Sequence, residues 1–110
     1  MKAPCFSRNI GPISSSGQCK LGHARIAVFG LGGVGGIAAE LLVRAGIGRL
    51  MAVDYDRFEP ANLNRQLLAT RATIGKRKTS VFAAHAKAIN PKIEIKKISK
   101  KLGYGSLART

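Results

Sequence analysis

The chain has 110 residues, of which 45% are hydrophobic, so it can form one folded domain with a modest core. Its apolar runs are far shorter than the roughly 20 residues that span a bilayer, and its first 18 residues lack the apolar segment of a secretory signal. Neither an integral membrane protein nor a secreted one is therefore expected. The formal net charge is +14, and residues 76–109 hold ten Lys and Arg residues but only one acidic residue, which favours an anionic partner or a strongly basic solvated surface.

Residues 1–24 are predicted to form an N-terminal arm, because two prolines, several glycines and three consecutive serines interrupt any regular period. A short amphipathic helix near residues 16–21 is compatible with the pattern. The arm holds both cysteines of the chain, Cys5 and Cys19, outside any C-x-x-C spacing. We therefore expect neither a zinc site nor a disulfide framework, and a reducing cytoplasm is the predicted compartment.

A strand, a glycine-rich loop and a helix are predicted next. The run RIAVFG at residues 25–30 is apolar and rich in strand formers, which predicts a buried parallel strand. Within and after GLGGVGG, residues 30–36, the apolar residues recur with the period of a helix, which Gly46 and Gly48 end. The inward face of this helix is predicted to comprise Val34, Ile37, Ala38, Leu41, Leu42 and Ala45.

Two further strands and a second long helix complete the predicted order. RLMAVD at residues 49–54 is a second apolar strand, and Asn62 is placed to cap a short helical turn after it. A helix is predicted over residues 76–89, since Asn90 precedes proline, and KIEIKKI at residues 92–98 alternates as an edge strand does. The inward positions of this helix are predicted to be Val81, Phe82, His85, Ala88 and Ile89.

This order predicts an α/β fold, namely half of a doubly wound, Rossmann-like parallel sheet with strand order 3-2-1. The N-terminal arm precedes it at residues 1–24, the nucleotide-binding half-domain spans residues 25–98, and residues 99–110 form an irregular basic tail. Ligands of such folds bind where the strand order reverses, which is beside strand 1. The chain is therefore expected to supply one wall of a nucleotide cleft.

The glycine loop has the full context of a nucleotide-binding fingerprint. Gly30, Gly32 and Gly35 follow a strand and open a helix, and Asp54 ends the next strand 19 residues after Gly35. The glycines permit a tight turn and a close approach of backbone to phosphate, while the helix N-terminus offers unpaired N–H groups. The acid is placed to accept hydrogen bonds from ribose hydroxyls. This motif alone does not distinguish NAD from ATP.

The segment ANLNRQ at residues 61–66 favours a triphosphate. Arg65 is predicted to clamp phosphate oxygens, while Asn62 and Asn64 donate further hydrogen bonds and Lys78 reaches the same anion. These groups would neutralise the charge that develops as pyrophosphate leaves. Asp56 either assists Asp54 or a metal site, or it caps the loop. His23, His85 and both cysteines are interpreted as structural.

The combination of IAVFGLGGVGG, GIGRLMAVDYDRFEPANLNRQ, IGKRK and INP resembles the ubiquitin-activating-enzyme-like superfamily, the ThiF/MoeB/HesA group, over roughly residues 6–98. The resemblance implies adenylation, with ATP and magnesium, of the C-terminal glycine of a ubiquitin-like sulfur-carrier protein, with release of pyrophosphate. Some members of the group act on tRNA instead. The family's magnesium-binding Asp and zinc-binding C-x-x-C pairs have no match after Ile98, so we expect the chain to be the N-terminal piece of an adenylation domain with its magnesium ligand elsewhere.

The resemblance also assigns roles to individual residues. Gly33 corresponds to a loop glycine whose backbone contacts ATP, and Asp54 corresponds to the ribose-binding acid. Asn62 and Arg65 match an N-x-x-R element that holds the phosphates, and Lys78 matches a phosphate-binding lysine. Arg8, in FSRNI, resembles an arginine that reaches into the partner's ATP site across a homodimer.

Two other functions remain open from the sequence. The fingerprint also suits an NAD-binding oxidoreductase domain. The basic residues in the range 76–101 also suit a non-catalytic module that binds nucleic acid or an acidic partner. The ANLNRQ segment favours adenylation over both, since neither alternative requires it.

Overall fold

The structure of the chain, a computed structural model, describes residues 4–101. Three helices and three strands alternate in this range, and two 3₁₀ helices, Pro4–Asn9 and Pro60–Asn64, accompany them. The predicted α/β class is confirmed, while most of the predicted tail lies outside the described residues. In chain order the elements are α1 (Ile10–His23), β1 (Arg25–Phe29), α2 (Gly33–Ala45), β2 (Arg49–Val53), α3 (Lys78–Ile89) and β3 (Glu94–Ile98).

The three strands form one parallel sheet in the order β1-β2-β3, which confirms the predicted order 3-2-1. The register aligns Arg25 with Arg49 and Arg49 with Glu94 at the edge where the strands begin. Phe29 aligns with Val53 at the opposite edge, where the strands end. We call these the amino edge and the carboxyl edge, and the glycine loop follows β1 at the carboxyl edge.

The hydrophobic core includes residues of the central strand β2 and of the two helices α2 and α3. Leu50 of β2, Val43 of α2 and Phe82 of α3 are almost completely buried and belong to one cluster. The turn before β3 adds Ile93, which is also fully buried. The buried members of the cluster are Leu31, Ala39, Val43, Leu50, Ala52, Phe82, Ala86 and Ile93.

The predicted inward face of α2 is wrong for most of its residues, although Leu42 packs against the core cluster. The helix buries Ala39 and Val43, whereas Val34 is 86% exposed and Leu41 is also exposed. Within the described residues, α2 carries only two charged side chains, Glu40 and Arg44, so apolar residues surround most of its circumference. Periodicity alone therefore could not identify the face that packs against the core.

Strand β1 is less buried than its apolar sequence predicts. Its residues alternate between exposed and half-buried, and Phe29 is 57% exposed. The half-buried positions are Ile26 and Val28, and Val28 packs against the core cluster. The described residues cover one face of β1 and leave the other open, because α2 lies on one side only. A fully apolar strand is expected where both faces are covered.

The N-terminal region is more helical than predicted. The predicted helix at residues 16–21 extends over Ile10–His23, with a break at Ser14, whose φ is 63°. The hydroxyl of Ser14 accepts a hydrogen bond from the N–H of Gly17 at 3.2 Å, as an N-cap does, so it starts the second segment of α1. Asn9 and Gln18 both donate to the carbonyl of Ala45, which fastens this region to the end of α2.

Helix α3 and strand β3 each begin two residues later than predicted. The inward residues of α3 include Phe82 and Ala86, whereas Ala88, predicted to point inward, is exposed. Strand β3 starts at Glu94 because Ile93 donates its N–H to the carbonyl of Asn90 and completes a turn. Between residues 4 and 101, the helices are too short or too polar to cross a membrane.

Candidate nucleotide site at the carboxyl edge

The glycine loop leaves β1 in a conformation that suits glycine. Gly30 has φ +91°, which L side chains rarely adopt, and its N–H donates to the carbonyl of Val53 at 2.7 Å. Gly32 takes the N-cap position of α2, and the helix begins at Gly33. The loop therefore presents the N-terminus of α2 at the carboxyl edge, as the fingerprint predicts.

Gly35 sits where a side chain would collide with the loop. A Cβ at this position would overlap the carbonyl oxygen of Gly30 and lie 3.0 Å from its carbonyl carbon. Gly33 is different, since a Cβ there would meet nothing within 4 Å. The first turn of α2 therefore packs directly on the backbone that leaves β1, and the open side of Gly33 leaves space for a ligand.

Asp54 ties the two loops of the site together. Its Oδ2 accepts the N–H of Leu31 in the glycine loop at 2.7 Å, and its Oδ1 accepts the N–H of Asp56 at 2.8 Å. The carboxylate is half-buried, and each oxygen retains acceptor capacity. Asp56 is exposed, and its carbonyl accepts the N–H of Lys78 at 3.1 Å. The position of Asp54 fits the predicted ribose contact, and the residue also braces the loop.

Asn62 has a different local role from the one predicted. It is the third residue of a 3₁₀ helix whose N-cap is Glu59, and the two residues form a reciprocal capping box. Its Oδ1 accepts the N–H of Glu59 at 2.8 Å, and its side chain is buried. The predicted N-cap assignment is therefore wrong by three positions, because Glu59 precedes proline and takes the extended conformation of a cap.

Arg65 is exposed beside this turn, and its neighbours hold its guanidinium. Nη1 donates to the carbonyl of Ala61 at 3.0 Å and to Oδ1 of Asn64 at 2.9 Å. Asn64 therefore orients Arg65 in this structure. Two donors of Nη1 are used, and the other guanidinium N–H groups have no protein acceptor among the described residues, so they are available to an anion.

Lys78 is a buried cation at the same site. The residue is only 6% exposed to solvent. Its Nζ lies 5.6 Å from the centre of the Phe58 ring. Within residues 4–101, no carboxylate lies within 4.0 Å of this ammonium group. With no carboxylate partner, the aromatic ring is the attractive neighbour that the described structure provides for this ammonium group. An anion placed over the glycine loop would supply the missing partner.

Gln66 is a site residue that the sequence analysis did not single out. It is 8% exposed, and its Oε1 is buried without a hydrogen-bond partner in the described structure. Its Nε2 lies 3.8 Å from the position that a Cβ on Gly32 would take, and Gln66 lines a cavity of about 10 Å³ with Gly32 and Lys78. A buried amide with unused capacity is unusual and points to a missing partner. The sequence pattern around Gln66 carries no signal of this burial.

Arg8 lies away from the glycine loop of its own chain. The neighbouring residue Asn9 donates to the carbonyl of Ala45, at the C-terminal end of α2, while the loop is at the N-terminal end. The 13 residues of α2 separate these ends by roughly 20 Å. The structure therefore does not bring Arg8 to this site within one chain, and its predicted role requires a second copy.

The histidines and Cys19 lie outside the site. His85 bridges α3 to α2 through a 2.6 Å contact between its Nε2 and Oε1 of Glu40. His23 pairs through Nδ1 with the carbonyl of Cys19 at 2.9 Å, and Cys19 is a free, exposed cysteine. Across residues 4–101, no three potential metal-ligating side chains of His, Cys, Asp or Glu converge.

Known proteins share this sequence and this fold. Residues 6–109 match the profile of the ThiF family. The chain is 43% identical over 90 residues to the tRNA threonylcarbamoyladenosine dehydratase of Bacillus subtilis, covering 82% of this chain and 35% of that protein. It is 45% identical over 92 residues to the adenylyltransferase and sulfurtransferase MOCS3 of Anopheles gambiae, covering 82% of this chain and 21% of that protein.

A solved structure of a related protein has the same fold as this chain. The structure of E. coli tRNA N6-threonylcarbamoyladenosine dehydratase, TcdA, in complex with ATP superimposes with a TM-score of 0.92 at 32% identity, covering 94% of this chain and 43% of TcdA. This chain spans less than half the length of each of these relatives. Since the family profile covers nearly all of its residues, the chain belongs to the ThiF family.

Proposed function

We propose that the carboxyl edge binds ATP and that the protein adenylates the C-terminal glycine of a ubiquitin-like sulfur-carrier protein. The observation that carries ATP binding is the ammonium group of Lys78, a largely buried residue that has no carboxylate partner in the described structure and lies beside the glycine loop. A polyphosphate is the ligand whose charge matches a buried lysine, an available guanidinium and a helix N-terminus together.

Each of these residues has its own role in binding ATP. The N–H groups at the start of α2 receive phosphate, and the bare backbone at Gly33 lets the chain approach it closely. Asp54 accepts the ribose hydroxyls with its remaining lone pairs. Lys78 and Arg65 neutralise the β and γ phosphates. Gln66 contributes an amide at the floor of the site, beside Gly32.

In the reaction, a carboxylate oxygen of the carrier's last glycine attacks the α-phosphorus of ATP. The bond from that phosphorus to the oxygen bridging the α and β phosphates breaks, and pyrophosphate leaves with the negative charge. Lys78 and Arg65 stabilise this charge as it develops, while the rest of the site aligns the reactants. Arg8 of a second copy would add a further positive charge in a homodimer.

Magnesium, which the resemblance implies, would need ligands beyond those gathered here. Both oxygens of Asp54 already accept backbone N–H groups, and among the described residues no third potential metal ligand joins Asp54 and Asp56. We therefore assign no magnesium ligand within residues 4–101 and route no step through the metal.

A tRNA substrate is the second candidate. The relative from Bacillus subtilis and the E. coli structure are both named as tRNA threonylcarbamoyladenosine dehydratases. The net charge of +14 is compatible with a polyanionic substrate. ATP–pyrophosphate exchange distinguishes the two candidate substrates. The carrier protein should stimulate exchange if it is the substrate, and the tRNA should do so if it is the substrate.

The test of the nucleotide site is ATP binding measured by calorimetry and by thermal protection. We expect ATP to protect the chain and NAD to give much less protection. Arg65→Ala and Lys78→Met should each weaken ATP binding at least ~10-fold, which corresponds to ~1.4 kcal/mol. Arg71→Ala removes the same charge from an exposed turn and should change the affinity little. Equal losses in all three variants would contradict the proposal, as would stronger protection by NAD than by ATP.

A further inference from the structure

A groove of about 690 Å³ crosses the amino edge of the sheet, at the opposite end of the strands from the glycine loop. Its volume lies in the range of roughly 300–1,000 Å³ that is typical of small-molecule sites. Each strand has five residues, so the two edges are separated by about 13 Å along the sheet. The groove is therefore a separate place from the nucleotide site. Its wall includes Arg25, Arg49, Lys92, Glu94, Gly22 and Gly48.

The strand register concentrates positive charge in this groove. Arg25 and Arg49 are direct neighbours on adjacent strands, and Glu94 is the next neighbour on β3. Like charges opposite each other in a sheet are destabilising. Glu94 pairs with Arg49, with 3.0 Å between Oε2 and Nε. Within the described residues, Arg25 and Lys92 have no carboxylate within 4.0 Å. The described part of the groove therefore holds the cations Arg25, Arg49 and Lys92 but only one carboxylate, that of Glu94.

The helix ends near these cations already have hydrogen-bond donors at several of their carbonyl groups. The C-termini of α1, α2 and α3 meet this edge, and basic residues often offset such carbonyl groups. Here the carbonyl of Ala45 already accepts from Asn9 and Gln18, and the carbonyl of Leu21 accepts the N–H groups of Ala24 and Gly48. The carbonyl of Ala86 accepts the N–H of Asn90. Among the described residues, the side chains of Arg25 and Lys92 make no hydrogen bond or ion pair, so they are available to another anion.

We propose that this amino-edge groove binds phosphate groups, held by Arg25, Lys92 and Arg49. A phosphate dianion matches a surplus of two positive charges better than a single carboxylate does, and the planar guanidinium suits its oxygens. Gly22 is exposed in the wall, and a Cβ there would meet nothing within 4 Å, so it leaves room beside the cations. The phosphate group has two possible sources, a free small molecule or the backbone of an RNA. This inference does not depend on the function proposed for the carboxyl edge.

The test compares two doubly substituted chains with the same loss of charge. Arg25→Ala/Lys92→Ala removes the groove cations, whereas Arg71→Ala/Lys96→Ala removes exposed cations elsewhere. Inorganic phosphate is titrated while the backbone amides of Gly22 and Gly48 are followed by NMR, and an unmodified tRNA transcript is titrated by fluorescence anisotropy. All four substituted side chains are exposed, so both variants should keep the parent melting temperature.

We expect the groove variant to bind at least ~10-fold more weakly in one or both titrations, and the control variant to change by less than ~3-fold. For RNA, the loss of two phosphate contacts should also reduce the salt dependence of binding by about two in log–log slope. Loss in the phosphate titration alone identifies a free phosphate compound as the ligand, and loss in the RNA titration identifies the backbone. Equal losses in both variants, or no binding in either titration, would overturn the proposal. ATP protection should be unchanged in the groove variant, which separates this result from the nucleotide site.

Discussion

Replacing Gly35 by alanine tests whether the glycine loop depends on direct contact between α2 and the backbone after β1. The added methyl would lie 3.0 Å from the carbonyl carbon of Gly30 and closer to its oxygen. Carbon atoms in contact prefer a separation of about 3.5–4.0 Å, so the helix and the loop must move apart by at least ~0.5 Å. The carbonyl cannot simply turn away, since the N–H of the same peptide group, that of Leu31, donates to Oδ2 of Asp54 at 2.7 Å.

Forced overpacking of this kind costs about 1–3 kcal/mol. For a domain near 100 residues, 1 kcal/mol lowers the melting temperature by roughly 4–8 °C, so Gly35→Ala should lower it by about 5–20 °C. ATP affinity should fall as well, because the shift displaces the N-terminus of α2. Thermal denaturation followed by circular dichroism, with and without ATP, measures both effects.

The matched control is Gly33→Ala, two residues earlier in the same helix. A methyl there meets nothing within 4 Å, and alanine favours a helix over glycine by about 1 kcal/mol. We therefore expect an unchanged or higher melting temperature without ATP. If the two variants have the same melting temperature, the contact between Gly35 and Gly30 does not hold the loop, and the reasoning from packing is refuted.

Three further experiments test the remaining contacts. Lys78→Met should keep or raise the melting temperature without ATP while removing ATP protection, because it replaces a largely buried side chain that carries an unpaired cation by an apolar side chain; a large loss of stability would contradict this. A double-mutant cycle with Glu40→Ala and His85→Ala should give a coupling of about 1 kcal/mol between α2 and α3, and additive effects would mean that the 2.6 Å contact is energetically neutral. Asn62→Ala should destabilise the chain by about 1–2 kcal/mol through loss of the capping box, whereas the exposed Asn64→Ala should not, and chemical denaturation distinguishes them.

The sequence predicted the class, the element order and the strand order because these depend on local patterns that the structure retains. Arg25–Phe29 and Arg49–Val53 are short apolar runs that end at turn residues, and each is a strand. The spacing from the glycine loop to Asp54 was also informative, since a carboxylate at the end of β2 reaches the loop after β1. Parallel neighbours place such residues side by side.

The predictions that failed required information that lies outside a local window. The inward face of α2 depends on which side meets Phe82, and the helix is apolar on most sides. The role of Asn62 depended on whether Pro60 would make Glu59 the cap. Gln66 could not be recognised as buried from ANLNRQ alone, because its exposure is decided by the packing of Lys78 and the glycine loop around it.

Parallel pairing also explains why the two edges of this sheet differ in chemistry. Every strand starts at one edge and ends at the other, so the first residues Arg25, Arg49 and Glu94 are brought together while Asp54 and the glycine loop meet at the far end. A slip of one residue in the pairing of β1 with β2 would separate Arg25 from Arg49 and would also remove Leu31 from Asp54. The charge cluster at the amino edge and the braced loop at the carboxyl edge therefore depend on the same register. Substitutions that weaken this pairing should impair both sites together, whereas substitutions at either edge should affect one site alone.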